Sequence, residues 1–443
     1  MTDNRKDHSS SKFQWTAEEA QKPERAFVIV PEFSDNNQRS RSAKLEEAKG
    51  LARAISLNVV EASVIPVKRV TPATLIGSGK VQELAGIIKA QDIGLAIIDH
   101  AISPKQQQNL EKAWDCKVLD RTGLILEIFG ERAQTKEGTL QVELAHLNYQ
   151  KGRLVRSWTH LERQRGGLGF VGGPGETQIE ADRRMIQERI NRLEKDLEKV
   201  RKTRTLHRAK RKKVPYPVVA LVGYTNAGKS TLFNRLTGAQ VMAKDLLFAT
   251  LDPTLRQLNL PQGTRVILSD TVGFVSNLPT HLVAAFRATL EEVIEAELIL
   301  HVRDISHEDT DAQAQDVHDI LQQLGVDTAS TENVVEVWNK IDLLEEGPKQ
   351  ALKERTIENV QPMMVSAETG EGLDKLIAQI EDRISDTDSI MEVLLPLDKL
   401  SLLPKIYQEA QVLSREDLED GSVTLKIRAA KPIRHSYKAY RLK

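Results

Sequence analysis

Eight residues, Gly223 to Ser230 (GYTNAGKS), set two glycines, a lysine and a hydroxyl at the spacing G-x-x-x-x-G-K-S. That set can hold a polyphosphate. Backbone N–H groups of the loop and of the helix that follows face the phosphates, the Lys229 ammonium reaches the outer ones, and the Ser230 hydroxyl ligates Mg²⁺. The flanks are those the chemistry needs, since the apolar run VVALV before the loop reads as a strand and KSTLFNRL after it as a helix. Gly223, Tyr224, Thr225, Asn226, Ala227, Gly228, Lys229, Ser230 and Thr231 are therefore expected to bind a nucleotide.

Three more short motifs follow in order, each behind an apolar strand-like run. DTVG places Asp270, Thr271, Val272 and Gly273 after VILSD, where the Asp270 carboxylate can hold the Mg²⁺ shell and the Gly273 amide can meet a γ-phosphate. NKID contributes Asn339, Lys340 and Asp342, whose carboxylate can accept the N1 and N2 hydrogens of guanine. Adenine lacks that donor pattern, and a site built on hydrogen bonds rejects analogues without them. Ser366, Ala367 and Glu368 (SAE) are placed to meet the base from its other side. Between the loop and DTVG lies FATLDPT, with Phe248, Ala249, Thr250, Leu251 and Asp252. Thr250 is the residue to close over Mg²⁺ when the γ-phosphate is present, an order–disorder switch. The metal set is thus Ser230, Thr250 and Asp270, and the catalytic set Lys229, Thr250 and Gly273. The combination reads as a guanine-nucleotide switch using GTP and Mg²⁺.

Two positions depart from the commonest pattern. Ras-like GTPases follow the last glycine of DxxG with a glutamine that orients the attacking water; Phe274 stands there instead, so hydrolysis in isolation is expected to be slow. Asn226 is similar to the asparagine of potassium-activated GTPases, where K⁺ supplies positive charge; the other reading is an asparagine that caps the loop.

The surrounding chain must position these groups. At 443 residues it is too long for one core, and two to four domains are expected. Residues 1–25 read as a disordered polar tail without the apolar core of a secretion signal. From 26 to 134, runs such as AFVIV, NVVEASVI, LAIID and KVLD alternate with helical patterns, which argues a small α/β domain with a largely parallel sheet. Residues 135–213 change period. Leu140, Leu144, Leu147, Leu154, Trp158 and Leu161 form one stripe, and Ile186, Ile190, Leu193, Leu197 and Val200 another. Two such stripes joined by a short connection read as an antiparallel helical hairpin. The glycine-dense stretch RGGLGFVGGPGE (Arg165 to Glu176) is then its tip. Residues 214–386 resume the α/β alternation as the nucleotide domain, and 387–443 form a small C-terminal α/β module.

Charge adds a partner class. Net charge is −1, yet Lys199 to Lys213 carries nine Lys or Arg and no acid, leaving −10 for the rest (−1 − 9). Such a block is either a solvated linker or a footprint that binds nucleic-acid phosphates by releasing counterions. The single cysteine, Cys116, excludes an intrachain disulfide framework and fits a reducing cytoplasm. No apolar run reaches the ~20 residues that cross a bilayer. No membrane span is expected, peripheral association stays open, and a monomer is expected.

The chain resembles the HflX family of ribosome-associated GTPases in LIGSGKVQEL (Leu75 to Leu84), RGGLGFVGGPGETQIEADRR (Arg165 to Arg184), GYTNAGKSTLFNRLT, FATLDPT, DTVGF and NKID. The likeness runs from about residue 26 to the C-terminal module. It implies binding to the large ribosomal subunit, splitting of stalled or idle ribosomes in the GTP state, and hydrolysis to GDP stimulated by the ribosome. It also implies that the N-terminal domain and hairpin enter the RNA-lined catalytic centre. On that resemblance Arg165, Gly166, Gly167, Gly169, Phe170, Gly172, Gly173 and Gly175 are the rRNA-binding tip, with Gln164 and Gln178 adding polar contacts. Side-chain-poor backbone can approach RNA closely, although Phe170 has the plainer reading of packing the tip. A switch that docks without splitting, and an ATP- or GTP-dependent RNA remodeller, are the competing functions. The second would use GSGK (Gly77 to Lys80), which reads more simply as a glycine turn opening the helix VQELAGIIKAQ.

Overall fold

The computed structural model describes residues 24–33, 39–164, 174–211, 216–239, 247–278, 290, 292–326, 333–355, 362–418, 420–430, 437 and 440. These form two compact units, the first made mostly of residues before 129 and the second mostly of residues after.

In the first unit, strands β1 (Arg25–Phe33), β2 (Asn58–Val67), β3 (Leu95–Ile98) and β4 (Lys117–Asp120) pair in the order β2-β1-β3-β4. Every pairing is parallel. Helices α1 (Arg41–Ala54), α2 (Ser78–Ala90) and α3 (Pro104–Trp114) connect them, and α4 (Arg121–Arg132) follows. Parallel strands buried on both faces read as unbroken apolar runs; Ala26 to Val30 and all four residues of β3 are buried accordingly. Phe27, Ile29, Leu84, Ile88, Leu110 and Trp114 form the core. Local chemistry sets the helix starts. Ser103 and Gln106 form a reciprocal capping box with Pro104 in the first turn of α3. Arg121 is held between Glu47, at 2.6 Å, and Asp99, whose carboxyl burial pushes upward.

GSGK behaves as a helix opening. Gly77 is extended (φ −64°, ψ 150°), α2 begins at Ser78, and Lys80 pairs with Glu83 at 2.6 Å.

The second unit contains the helices α5 (Lys136–Gln164, of which Arg153 onward falls in the first unit) and α6 (Pro174–Arg211). Arg189 of α6 pairs with Glu143 of α5 at 2.6 Å, and Lys151 donates to Gln187. Ile190, Leu193 and Leu197 of the expected stripe are buried. Among the α5 residues whose burial is described, Gly138, Gln141, Val142 and Ala145 are buried, while Leu140, Leu144 and Leu147 are half-buried. The covered face is therefore turned from the leucine stripe; α5 also passes α4, with His146 against Gly130.

The same unit holds a six-stranded sheet of β5 (Val218–Gly223), β6 (Thr254–Asn259), β7 (Arg265–Asp270), β8 (Leu298–Asp304), β9 (Val334–Asn339) and β10 (Met363–Met364), ordered β10-β9-β8-β5-β7-β6. All pairings are parallel except β6 with β7. Helices α7 (Lys229–Thr237), α8 (Thr310–Gln323), α9 (Glu346–Arg355) and α10 (Leu373–Thr387) belong to it. Val219, Leu221, Leu232, Phe233, Val335 and Leu376 are in its core. A third sheet, antiparallel β11-β13-β12, uses β11 (Asp388–Leu395), β12 (Gln411–Asp417) and β13 (Val423–Ala430), with α11 (Leu403–Glu409) between the first two. Among the described residues no helix is long and apolar enough to cross a membrane.

Candidate nucleotide site

The site lies at the carboxyl ends of the parallel strands, where α/β sheets open to ligands. The loop from β5 to α7 wraps a pocket lined by Thr225, Asn226, Gly228, Lys229, Ser230, Thr231, Phe248, Ala249, Thr250, Thr271 and Gly273. Most of the phosphate-side residues expected from sequence are thus brought together. Gly228 is a glycine for two reasons: its φ is +90°, and a Cβ would sit 2.2 Å from the Asn339 side-chain nitrogen. Gly273 is equally confined, since a Cβ would lie 2.9 Å from the Thr225 Cα and 3.0 Å from the Lys229 Nζ.

Lys229 is buried, and its Nζ donates to the carbonyls of Tyr224 (2.8 Å) and Gly223 (3.2 Å). Burial lowers its pKa to about 8, and the Asp270 carboxylate opposes that shift. A cation held this way, among oriented N–H groups, is poised for an anion.

Ser230, Thr250 and Asp270 converge. The Ser230 and Thr250 hydroxyls donate to Asp270 Oδ2 at 2.7 and 3.0 Å and lie 2.9 Å apart. Asp270 is fully buried; burial raises its pKa, against the hydroxyls and Lys229. Its second oxygen, Oδ1, is buried with no hydrogen-bond partner among the described residues. An orphaned carboxylate oxygen beside two hydroxyls is a hard, oxygen-only donor set, which fits Mg²⁺. Ser230, Thr250 and Asp270 would hold such an ion, which would supply positive charge to phosphate oxygens.

The buried Asn339 side chain donates to the Ala227 carbonyl at 2.9 Å and accepts the Ala367 amide at 3.0 Å, so both ends of the amide tie loops together. Ser366 is also internal, its hydroxyl accepting the Thr369 amide at 3.0 Å. Lys340 takes a left-handed turn (φ +66°) and pairs with Asp304 at 2.8 Å. Asp342 and Glu368, the residues expected to meet a base, are both exposed. Thr271 donates to the Leu221 carbonyl at 2.6 Å and Val272 is buried, so this pair fixes the strand end. Leu251 is buried, and Asp252 points its carboxylate away from the pocket, at Gln134 and Thr135.

Phe274 is 1% exposed, with its backbone paired to the loop: its amide donates to Gly223 at 3.1 Å and its carbonyl accepts Thr225 at 2.7 Å. The position that carries a glutamine in Ras-like proteins therefore faces the core. Phe274→Gln is expected to leave unstimulated hydrolysis unchanged and to lower stability by ~1–3 kcal/mol, the cost of an unsatisfied buried amide; denaturant melts and single-turnover hydrolysis read both.

The expected tip residues Arg165, Gly166, Gly167, Gly169, Phe170, Gly172 and Gly173 lie outside the described residues, and Gly175 falls in the backbone of α6. Sequence reasoning missed Phe129, Gln134 and Thr135, which hold the FATLDPT segment from outside the nucleotide domain. Their separation from it, 117 residues for Thr135, leaves no local signal.

Comparison with known proteins covers the chain in four parts. Residues 42–130 match the family described as GTP-binding GTPase N-terminal and 132–211 the GTP-binding GTPase Middle Region. Residues 218–340 match 50S ribosome-binding GTPase, and 351–435 the HflX C-terminal domain. The chain is 48% identical to GTPase HflX of Magnetococcus marinus over 400 residues, 90% of this chain and 91% of that one. It is 44% identical to GTPase HflX of Escherichia coli over 386 residues, 87% and 89% of the two chains. Among solved structures, a GTP-binding protein from Sulfolobus solfataricus in complex with GDP covers 82% of this chain and 99% of its own, at 24% identity and a TM-score of 0.44.

Proposed function

Because the chain belongs to the HflX family of GTPases, we propose that its GTP state binds the large ribosomal subunit through the α5–α6 arm and splits stalled or idle ribosomes into subunits. The chain's GTP-hydrolysing site then times the event: GTP holds the bound state, and hydrolysis to GDP releases it. The observation that carries this reading is the convergence of Ser230, Thr250 and Asp270 beside a buried Lys229. It is an arrangement that suits a cation bound beside nucleotide phosphates, with Thr250 the residue that closes over it. The description of the family matched by residues 218–340 as 50S ribosome-binding GTPase supports the partner. So does the long α6, which carries Arg201, Arg204, Arg208, Lys210 and Arg211. Clustered cations on a helix gain affinity for RNA phosphates by counterion release, so binding should weaken steeply with salt.

Phe274 turned into the core means that this chain lacks its own water-orienting side chain at that position. The ribosome completes the site on this reading, and K⁺ beside Asn226, which lines the pocket with φ +60°, adds positive charge. The test is a sucrose gradient of ribosomes with the protein and a non-hydrolysable GTP analogue, alongside GTPase rates with and without large subunits in K⁺ and Na⁺ buffers. Subunit peaks and ribosome-stimulated turnover are expected. Co-sedimentation with intact ribosomes would replace splitting with docking alone, and an unstimulated rate would remove the ribosome from the site.

A further inference from the structure

Asp252 follows Thr250 by two residues, yet its carboxylate serves a helix outside the nucleotide domain. Oδ2 accepts the amides of Gln134 and Thr135, both at 2.9 Å, and Oδ1 accepts the Thr135 hydroxyl at 2.6 Å. The same Thr135 oxygen accepts the Gly138 amide at 2.9 Å, which makes Thr135 the cap of α5 and Asp252 the completion of that cap. A negative charge at this place also meets the positive end of a 29-residue helix.

A second contact holds the other end of the segment. Phe248 has φ +56°, a conformation that bulky side chains avoid, and is buried edge-on against Phe129 at 4.8 Å between ring centroids. Thr250 therefore sits on a short segment gripped on both sides by residues 129–138. Gly138 leaves the space for this grip, since a Cβ there would lie 2.6 Å from Asp252 Oδ1.

We propose that Asp252 is a positioning residue for the GTP-bound state: by capping α5 it fixes Thr250 beside Ser230 and Asp270, so that closure of FATLDPT and capping of the arm helix are one event. The coupling is reciprocal by linkage, so a partner that draws on the start of α5 changes GTP affinity by the factor with which GTP changes the partner's. The proposal rests on the GTPase assignment and not on ribosome docking.

The test uses the full chain without ribosomes. One readout is the ratio of affinities for a non-hydrolysable GTP analogue and GDP; the other is hydrogen exchange at the Gln134 and Thr135 amides. Asp252→Ala should lower the preference for the analogue about five- to tenfold, the size of a lost N-cap. Asp252→Asn should restore part of it, because one side-chain oxygen still accepts while the amide nitrogen cannot replace the other. Gly138→Ala, a change outside the pocket that favours the helix, should shift the ratio the same way by displacing the carboxylate. Combined with Asp252→Ala, it should add little, as expected for one shared contact. In the unsubstituted protein the two amides should exchange more slowly with the analogue than with GDP. A wild-type ratio in Asp252→Ala, a wild-type ratio in Gly138→Ala, or equal exchange in both nucleotide states overturns the proposal. None of these outcomes bears on ribosome splitting.

Discussion

Lys229→Met is expected to weaken GTP and GDP binding by roughly 10²–10³-fold, because charge-assisted hydrogen bonds to phosphate are each worth ~1.5–3 kcal/mol and more than one is lost. The same change should not destabilise the nucleotide-free protein. Lys229 is buried with its pKa lowered to about 8, first by burial, so the folded state holds its charge at a cost. That cost is present in full below about pH 8, and it disappears as the pH rises through the higher value of the unfolded chain. A methionine of similar length removes the charge and keeps the packing. Isothermal titration reads the lost affinity, and thermal melts with and without nucleotide separate it from stability. A variant that melts early without nucleotide but still binds GTP tightly contradicts the assigned role.

Asp342→Asn should exchange the base that the protein prefers. A carboxylate accepts the two donors that guanine presents on one edge, whereas an amide offers one acceptor and one donor. Xanthine, which has N1–H beside a C2 carbonyl, matches the amide. Loss of GTP affinity by ~10²–10³-fold with a gain for the xanthine nucleotide is expected, less than the 10⁴–10⁵ of fully enclosed sites because Asp342 is exposed. Competition binding with the two triphosphates decides it; equal loss of both places Asp342 outside base recognition.

The phosphate side was legible in the sequence because its chemistry is local. A loop, its helix and two short motifs carry their own hydrogen bonds, and the structure gathers Lys229, Ser230, Thr250 and Asp270 as the spacing implies. The α/β alternation was legible for the same reason, since strands buried on both faces leave continuous apolar runs. β6 left no such run: TLRQLN is an edge strand with half of its residues exposed, antiparallel to the rest. β12 was hidden inside PKIYQEAQVL, where a helix ends at Glu409 and a strand starts two residues later. The motif marks Asn339 only as a base-side residue, and only the fold reveals that its amide also joins Ala227 to Ala367. Asp252 was similarly opaque, because its partners lie more than a hundred residues away.

That Asn339 bridge constrains how a spent nucleotide departs. With one buried amide stitching the phosphate loop to the loop after β10, the two walls expected to meet the phosphates and the base are tied into one cradle. Prising one wall from the other breaks both of these hydrogen bonds. The doorway is then the third wall, the strip from Phe248 to Asp252, fastened by a ring contact, the Asp252 carboxylate and the Thr250 hydroxyl. GDP escape and loosening of the arm helix would then be governed by the same latch.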